Sequence, residues 1–353
     1  MKQGNRKMSE FRQDPLTKRW IIIAPERGNR PGVHFEENQR TSNFCPFCPG
    51  FEDKTPPELF VVRKSGQVNG PGWDVRAVAN KFPILQIEGE LDRQGEGPYS
   101  KMRGVGAHEV IIENPDHIKH IHQLSVEQIG LVLKAVKERM IDLKKDIRFR
   151  YLLLFKNDGE AAGASLEHSH FQLNAFPIIP QEVDLELGWC RKHYEVNERC
   201  LLCDISDYES QVSSRIILES LYYTSFCPFA SRVPYEVMIM PKRTYHGAFY
   251  TEMDNLQLID LAQVLQITLN KLHNAKYILE KIVSLQYNMI LHIAPFFDHY
   301  PMPNGKTIEL DYHWHIHIVP RITKIAGLEW GAGIFVNPIF PELAAQELRG
   351  IKV

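Results

Sequence analysis

The stretch GASLEHSHFQ places two histidines and a glutamine at alternate positions, His168, His170 and Gln172. If this stretch is a β-strand, the three side chains lie on one face, because alternate residues of a strand share a face. A neutral imidazole is a good nucleophile toward phosphorus, and the phosphoramidate that it forms can pass the group on. Gln172 and Ser165 can donate hydrogen bonds to phosphate oxygens, and Gly163 lets the backbone approach them. The pattern indicates transfer of a phosphate-containing group, with histidines satisfied in a core as the alternative.

Four of the six cysteines form two Cys-x-x-Cys pairs, Cys45 with Cys48 and Cys200 with Cys203. Two thiolates at this spacing can bind one tetrahedral zinc ion, whereas a redox dithiol is the alternative interpretation. Suitably placed histidines follow each pair, which favours metal binding. The two remaining cysteines have no such partner, so we expect them to be buried thiols.

Composition excludes several classes of protein. The 353 residues suffice for two domains, and a net charge of -2 gives no basic field that would attract nucleic acid or an anionic membrane. No apolar run is long enough to span a bilayer, and the first residues lack the apolar core of a secretory signal. We therefore expect a cytoplasmic protein with neither nucleic acid nor membrane as a partner.

The same elements occur twice along the chain in the same order. Each half has a cysteine pair, a Glu-Val strand that leads through a proline to a histidine, an apolar strand and a His-x-His strand. Each half also has a long amphipathic helix before its apolar strand, with Ser125 and Asp254 as expected N-caps. The sequence predicts an α+β fold of two similar halves, residues 1–185 and 186–353, each an antiparallel sheet with helices packed on it.

Segments such as DPLTKRWIIIAPERGNRP, CPFC, NPDH, HSHFQ and GLEWGAGIFVNPIFPELAAQELR carry a resemblance over nearly the whole chain. The chain resembles the galactose-1-phosphate uridylyltransferase family, a branch of the histidine-triad superfamily. The resemblance implies two histidine-triad-like halves and nucleotidyl transfer between a nucleoside diphosphate sugar and a second phosphate. It also implies a covalent nucleotidyl-histidine intermediate, with His170 as the nucleophile and Gln172 holding the transferred phosphate. A homodimer is implied as well, because a second subunit often completes the pocket in this family.

The resemblance further implies one structural zinc with four protein ligands: Cys45, Cys48, His117 and His168. For a second metal site, the internal repeat predicts the set Cys200, Cys203, His246 and His315. The sugar uridylyltransferases use one glutamate and three histidines instead, a pattern that maps onto Glu186, His292, His315 and His317. The two sets share His315, so we treat them as alternatives. We favour the cysteine set, because the second cysteine pair has little other reason to be present.

Further substrate-contacting positions follow from the resemblance: Arg27, Arg30, Asn80, Asn157, Glu329, and Gly163 and Ser165 already named. Enzymes that make UDP-galactose carry His-Pro-His-Gly-Gln, whereas Ser169 and Phe171 stand between the histidines and glutamine here. His-Ser-His is closer to the ADP-glucose phosphorylase branch, which also has a second cysteine-based zinc site. The leading hypothesis is a UDP-glucose:hexose-1-phosphate uridylyltransferase-like enzyme. The alternatives are an ADP-glucose:phosphate adenylyltransferase and a nucleotide-binding module without turnover.

Overall fold

The computed structural model describes residues 9–29, 44–117, 119–275, 278, 280, 285–296 and 307–353. The strands in these ranges are β1 Glu10–Gln13, β2 Trp20–Ile23, β3 Glu58–Arg63, β4 Trp73–Ala79, β5 Gln94–Glu96, β6 Tyr99–Lys101, β7 Ala107–Ile112, β8 Tyr151–Asp158, β9 His170–Phe176, β10 Ile216–Glu219, β11 Tyr223–Phe226, β12 Val237–Pro241, β13 Tyr287–His292, β14 His315–Pro320 and β15 Phe335–Asn337. The α-helices with described bounds are α1 Val126–Leu143, α2 Gln181–Asn197, α3 Leu201–Val212, α4 Asn255–His273, α5 Ile308–Asp311, α6 Gly327–Ala332 and α7 Pro341–Gly350.

Ten strands form one antiparallel sheet in the order β10-β11-β12-β14-β13-β8-β9-β7-β4-β3. Read from its centre to its edges, the sheet repeats itself, with β8, β9, β7, β4 and β3 matching β13, β14, β12, β11 and β10. The two halves meet where β8 pairs with β13. This arrangement agrees with the internal repeat seen in the sequence, and the predicted α+β class is confirmed.

Helices α1 and α4 cover one face of the sheet. The apolar residues of α1 that recur at helical spacing are buried: Ile129, Val132, Leu133, Val136 and Met140. The helices approach closely at Gly130, where an added Cβ would lie 2.6 Å from Ile259 Cδ1. Both expected caps form, because Ser125 accepts a hydrogen bond from the backbone N–H of Gln128 and Asp254 accepts one from that of Gln257. The opposite face of the sheet is not covered by α1 and α4, and the side chains of His170 and Gln172 lie on that face.

A small second sheet links the two ends of the chain. Strand β2 pairs antiparallel with β1 and parallel with β15. The predicted boundary at residue 185 falls inside α2, and the large sheet is continuous across both halves. The division into domains 1–185 and 186–353 therefore stays a prediction. Within the described ranges, no helix combines the length and the apolar character that crossing a membrane requires.

Candidate active site and metal centres

The His-x-His-x-Gln segment enters strand β9 at the centre of the first half. Strand β9 lies between β8 and β7, with Gln172 opposite Phe155 and His170 opposite Ile112. Phe171 and Leu173 are buried in the core shared with α1 and α4. Because side chains alternate along a strand, His170 and Gln172 lie on the face away from these helices. The structure therefore places His170 and Gln172 on one face of the strand, as the spacing predicted.

His170 is held in one tautomer. Its Nδ1 lies 2.7 Å from the carbonyl oxygen of His168, and a carbonyl can only accept, so Nδ1 carries the proton. Burial lowers the pKa of His170 to about 4, so that the ring is neutral at pH 7. Phe47 packs edge-on against the ring, with 5.2 Å between the ring centroids. A neutral imidazole with a free lone pair on Nε2 is what nucleophilic attack on phosphorus requires.

Gln172 is oriented by a residue that sequence reasoning did not assign to this role. The Nε2 atom of His108 lies 2.9 Å from Oε1 of Gln172, while His108 Nδ1 accepts a hydrogen bond from the backbone of Ile84. His108 Nε2 therefore donates to the amide oxygen, which turns the amide hydrogens of Gln172 outward. The Nδ2 atom of Asn80 lies 3.0 Å from the same ring nitrogen of His108. His108 lies on the neighbouring strand β7 with the same parity as Gln172, a signal that strand pairing could have supplied.

The end of β8 and the loop that follows it hold further predicted residues. The Oδ1 atom of Asn157 accepts a 2.8 Å hydrogen bond from Asn288, which stands opposite it on β13 of the second half. Gly163 has φ +88°, which a side chain would strain, and an added Cβ there would contact Asn157 at 3.7 Å. Ser165 is exposed in the same loop. Asn157 thus lies near the end of β8, and Gly163 and Ser165 lie in the loop that leads from β8 into His170.

Two other predicted residues lie together in a different place. Arg27 and Glu329 line a cavity of about 180 Å³ with Lys324, Arg232 and residues of β15. None of the residues described around His170 lines this cavity. Arg30 lies outside the described residues. Within this single chain, Arg27 and Glu329 therefore lie in a cavity that is separate from the residues around His170.

The first predicted metal cluster is assembled as expected, with all ligand atoms within 4.8 Å of one another: Cys45, Cys48, His117 and His168. The Sγ–Nδ1 distances are 3.7 Å from Cys45 to His168, 3.6 Å from Cys48 to His168 and 3.4 Å from Cys48 to His117. Tetrahedral zinc with ordinary Zn–S and Zn–N bonds would place S and N about 3.6 Å apart. His168 Nε2 donates to the carbonyl of Asn114 at 2.8 Å, which leaves Nδ1 free to bind a metal. The residues fit a zinc ion.

The second cysteine cluster differs from the predicted set in one member. Its members are Cys200, Cys203, His246 and His313, and His315 is not among them. His246 Nε2 lies 2.9 Å from the carbonyl of Glu309, which leaves Nδ1 facing Cys203 Sγ at 3.1 Å. His313 Nδ1 lies 3.2 Å from the carbonyl of Trp314, and its buried Nε2 has no hydrogen-bond partner among the described residues. Both histidines therefore offer a lone pair, and the donor set suits zinc.

The third cluster is the set that was treated as an alternative: Glu186, His292, His315 and His317. The carboxylate of Glu186 lies 2.9 Å from His292 Nδ1 and 3.6 Å from His315 Nε2. Burial would raise the pKa of Glu186, but the neighbouring histidines lower it to about 2, so the group is ionised. Burial lowers the pKa of His315, which keeps that ring neutral. A carboxylate with neutral imidazoles can hold a metal ion, so the two sets are separate clusters rather than alternatives.

The repeat explains this difference between the predicted set and the observed cluster. His170 Nδ1 contacts the carbonyl of His168, and His315 Nδ1 lies 3.3 Å from the carbonyl of His313 in the same way. Since β14 matches β9 in the sheet, His313 is the counterpart of the metal ligand His168, and His315 is the counterpart of His170. All three histidines of HWHIH share a parity, so the spacing alone did not select among them.

Comparisons with known proteins agree with this architecture. The family model for galactose-1-phosphate uridyl transferase, N-terminal domain, matches residues 2–180. ADP-glucose phosphorylase from Arabidopsis thaliana is 32% identical over 351 residues, covering 98% of this chain and 93% of that protein. Galactose-1-phosphate uridylyltransferase from Thermotoga maritima is 29% identical over 355 residues, covering 98% of this chain and 99% of that protein.

A solved structure extends the similarity to three dimensions. The crystal structure of an ADP-glucose phosphorylase from Arabidopsis thaliana with bound ADP-glucose has a TM-score of 0.82 and 31% identity, covering 98% of this chain and 100% of that one. The fold and the matches define a protein of the nucleotidyltransferase and phosphorylase class. The chain belongs to the galactose-1-phosphate uridylyltransferase family.

Proposed function

We propose that this protein transfers a nucleoside monophosphate from a nucleoside diphosphate sugar to a second phosphate through a covalent intermediate on His170. The observation that carries the proposal is the neutral ring of His170, whose Nδ1–H is bound to the carbonyl of His168. Its Nε2 lone pair attacks the α-phosphorus of the donor, and the bond from that phosphorus to the bridging oxygen breaks. The sugar-1-phosphate leaves, and an acceptor phosphate oxygen then displaces Nε2.

The other residues of the site have roles in binding. Gln172, with its amide hydrogens turned outward by His108, donates to a non-bridging oxygen of the transferred phosphate. Asn80, Asn157, Ser165 and Gly163 contact the donor from the neighbouring strand and loop. Three side-chain clusters could hold metal ions, and we propose structural zinc in the two that contain cysteine. The first of these fixes His168 and therefore the strand that carries His170.

Two donor classes follow from the comparisons. The hexose-1-phosphate uridylyltransferase reaction is supported by the family and by the similarity to the Thermotoga maritima enzyme. The adenylyl reaction, with inorganic phosphate as acceptor, is supported by Ser169 and by the similarity to the Arabidopsis thaliana ADP-glucose phosphorylase. The metal clusters favour neither donor, because the set typical of each branch is present.

Intact-mass spectrometry tests the mechanism and the donor together. The protein and His170→Ala are mixed separately with UDP-glucose and ADP-glucose in the absence of an acceptor. We expect a nucleotidyl adduct on the wild-type chain only, and its mass identifies the base. Adding galactose-1-phosphate or inorganic phosphate should then discharge the adduct and identify the acceptor. An adduct on His170→Ala would rule out His170 as the nucleophile, and binding without any adduct would favour a nucleotide-binding module.

We further propose a homodimer in which Arg27 and Glu329 complete the site of the partner. The support is the resemblance together with the cavity of Arg27 and Glu329, whose lining excludes the residues around His170. Mixing His170→Ala with Arg27→Ala tests this proposal. If the sites are shared, a random mixture of two inactive variants should regain about a quarter of wild-type activity, because heterodimers then contain one intact site. A mixture as inactive as its components would exclude sharing.

A further inference from the structure

A closed ring of three buried polar side chains lies behind the histidine strand. The Nζ atom of Lys156 is 2.7 Å from Glu113 Oε1 and 2.7 Å from Ser169 Oγ. Ser169 Oγ donates to Glu113 Oε2 at 2.6 Å, which closes the ring. All three side chains are at most 4% exposed, and they lie on the face of the sheet opposite His168 and His170. We call this set the Glu113–Lys156–Ser169 triad.

Stability alone does not account for such a group. Burying a carboxylate and an ammonium costs solvation that their attraction only partly offsets, and apolar replacements of a buried pair are often as stable. Lys156 lies 5.5 Å above the ring of Phe171, and its Nζ is also 3.7 Å from the buried carboxylate of Asp158. A buried ion pair that contributes little net stability points to a role in fixing the position of the backbone around it.

The backbone that the triad fixes is the part that orients the proposed nucleophile. Ser169 lies between His168 and His170, and its carbonyl accepts a hydrogen bond from the backbone N–H of Glu113 at 3.3 Å. The next residue after Glu113, Asn114, accepts the 2.8 Å hydrogen bond from His168 Nε2. The two residues that flank the His168–Ser169 peptide are therefore both held, His168 through its ring and Ser169 through its hydroxyl and its carbonyl. The carbonyl of this peptide is the one that accepts the Nδ1–H of His170 at 2.7 Å.

We propose that Glu113, Lys156 and Ser169 are positioning residues that hold the His168 carbonyl where it fixes the tautomer and direction of His170. This inference rests on the proposed function for the role of His170 as a nucleophile. Without the triad, the His168–Ser169 peptide can tilt, and Nδ1 loses its fixed acceptor. A displacement of about 1 Å at a reacting group can cost on the order of 100-fold in rate.

Ser169→Ala is the main test, because it removes one hydroxyl and leaves the ion pair of Glu113 and Lys156 intact. The matched control is Ser225→Ala, since Ser225 is a fully buried strand serine of the second half whose hydroxyl bonds Thr268 at 3.1 Å. We expect Ser169→Ala to slow single-turnover adduct formation about 10- to 100-fold, with donor affinity and zinc content unchanged. Ser225→Ala should leave the rate within about twofold of wild type.

The double variant Glu113→Gln/Lys156→Met provides a second route, because it removes both charges of the Glu113–Lys156 ion pair and leaves Asp158 its 3.2 Å contact with His120. It should also slow adduct formation while the zinc content stays unchanged. Selective ¹⁵N-histidine NMR, with the His170 signals identified by His170→Ala, reads the tautomer directly and does not depend on turnover. We expect a pure Nδ1–H tautomer in the wild-type protein and a mixture of tautomers in Ser169→Ala.

These readouts separate the two proposals. A wild-type adduct rate in Ser169→Ala, or an unchanged His170 tautomer, overturns the positioning role while leaving the nucleophile in place. A rate loss matched by lost zinc also overturns it, because the triad would then serve the metal site. A tautomer change in Ser169→Ala, combined with no adduct on the wild-type protein, rejects the covalent mechanism and supports the positioning role.

Discussion

His313 and His315 belong to different metal clusters, and replacing each of them in turn with alanine tests this assignment most directly. His313 lies in the cluster with Cys200 and Cys203, whereas His315 lies in the cluster with Glu186. We expect His313→Ala to lose the zinc of the cysteine cluster and His315→Ala to retain it. The two histidines are two residues apart and both fully buried, so the comparison is closely matched.

The size of the effect follows from ligand loss. Replacing a group that only supports a metal ligand weakens binding about 10- to 100-fold, so loss of a direct ligand should cost at least about 100-fold. A 100-fold change corresponds to about 2.7 kcal/mol. If free zinc is buffered at about 1,000 times the wild-type dissociation constant, bound zinc stabilises the fold by about 4.1 kcal/mol. His313→Ala should then retain only about 1.4 kcal/mol of this stabilisation.

The assay combines metal counting at free zinc of about ten times the wild-type dissociation constant, where a 100-fold weaker site is only about one-tenth filled, with urea unfolding at about 1,000 times that constant. His193→Ala is the control, because His193 contacts Asp204 at 2.9 Å beside the cysteine cluster but is not one of its four members. Cys200→Ser should match His313→Ala in both measurements. The reasoning is refuted if His315→Ala loses the zinc that Cys200→Ser loses while His313→Ala retains it.

Two further predictions concern histidines outside the metal clusters. His108→Ala should lower the rate of adduct formation about tenfold, because the amide of Gln172 loses the donor that orients it. Single-turnover kinetics measure this rate, and an unchanged rate would contradict the assigned orientation of Gln172. Burial, with His273 nearby, lowers the pKa of His122 to about 4. Between about pH 6.5 and 4 the unfolded chain therefore binds one more proton than the folded protein, and the free energy of unfolding falls as the pH falls through this range. Between pH 7.5 and 5.0 urea unfolding should show His122→Gln losing about 2 kcal/mol less stability than wild type, and equal losses would show that His122 is not responsible.

Much of the candidate site could be predicted from local pattern. Period-two spacing placed His168, His170 and Gln172 on one face, the cysteine spacing indicated a metal site, and the resemblance implied the ligand set of the first cluster, which the structure assembles. Helical periodicity and capping residues predicted α1 and α4, and both caps form as expected. The shared face and the helix caps depend on residues near one another in sequence, where periodicity decides which face a side chain occupies.

Tertiary structure decided the rest, because it depends on which distant segments meet. His313, His315 and His317 share one face of their segment, and only the position of the cysteine pair at the start of α3 places His313 in the cysteine cluster. His108 reaches Gln172 through strand pairing across 64 positions of sequence. Arg27 and Glu329 are brought into one cavity by the parallel pairing of β2 with β15. The sequence by itself determined the chemical groups and the faces on which they lie, whereas packing of the elements determined which groups share a site.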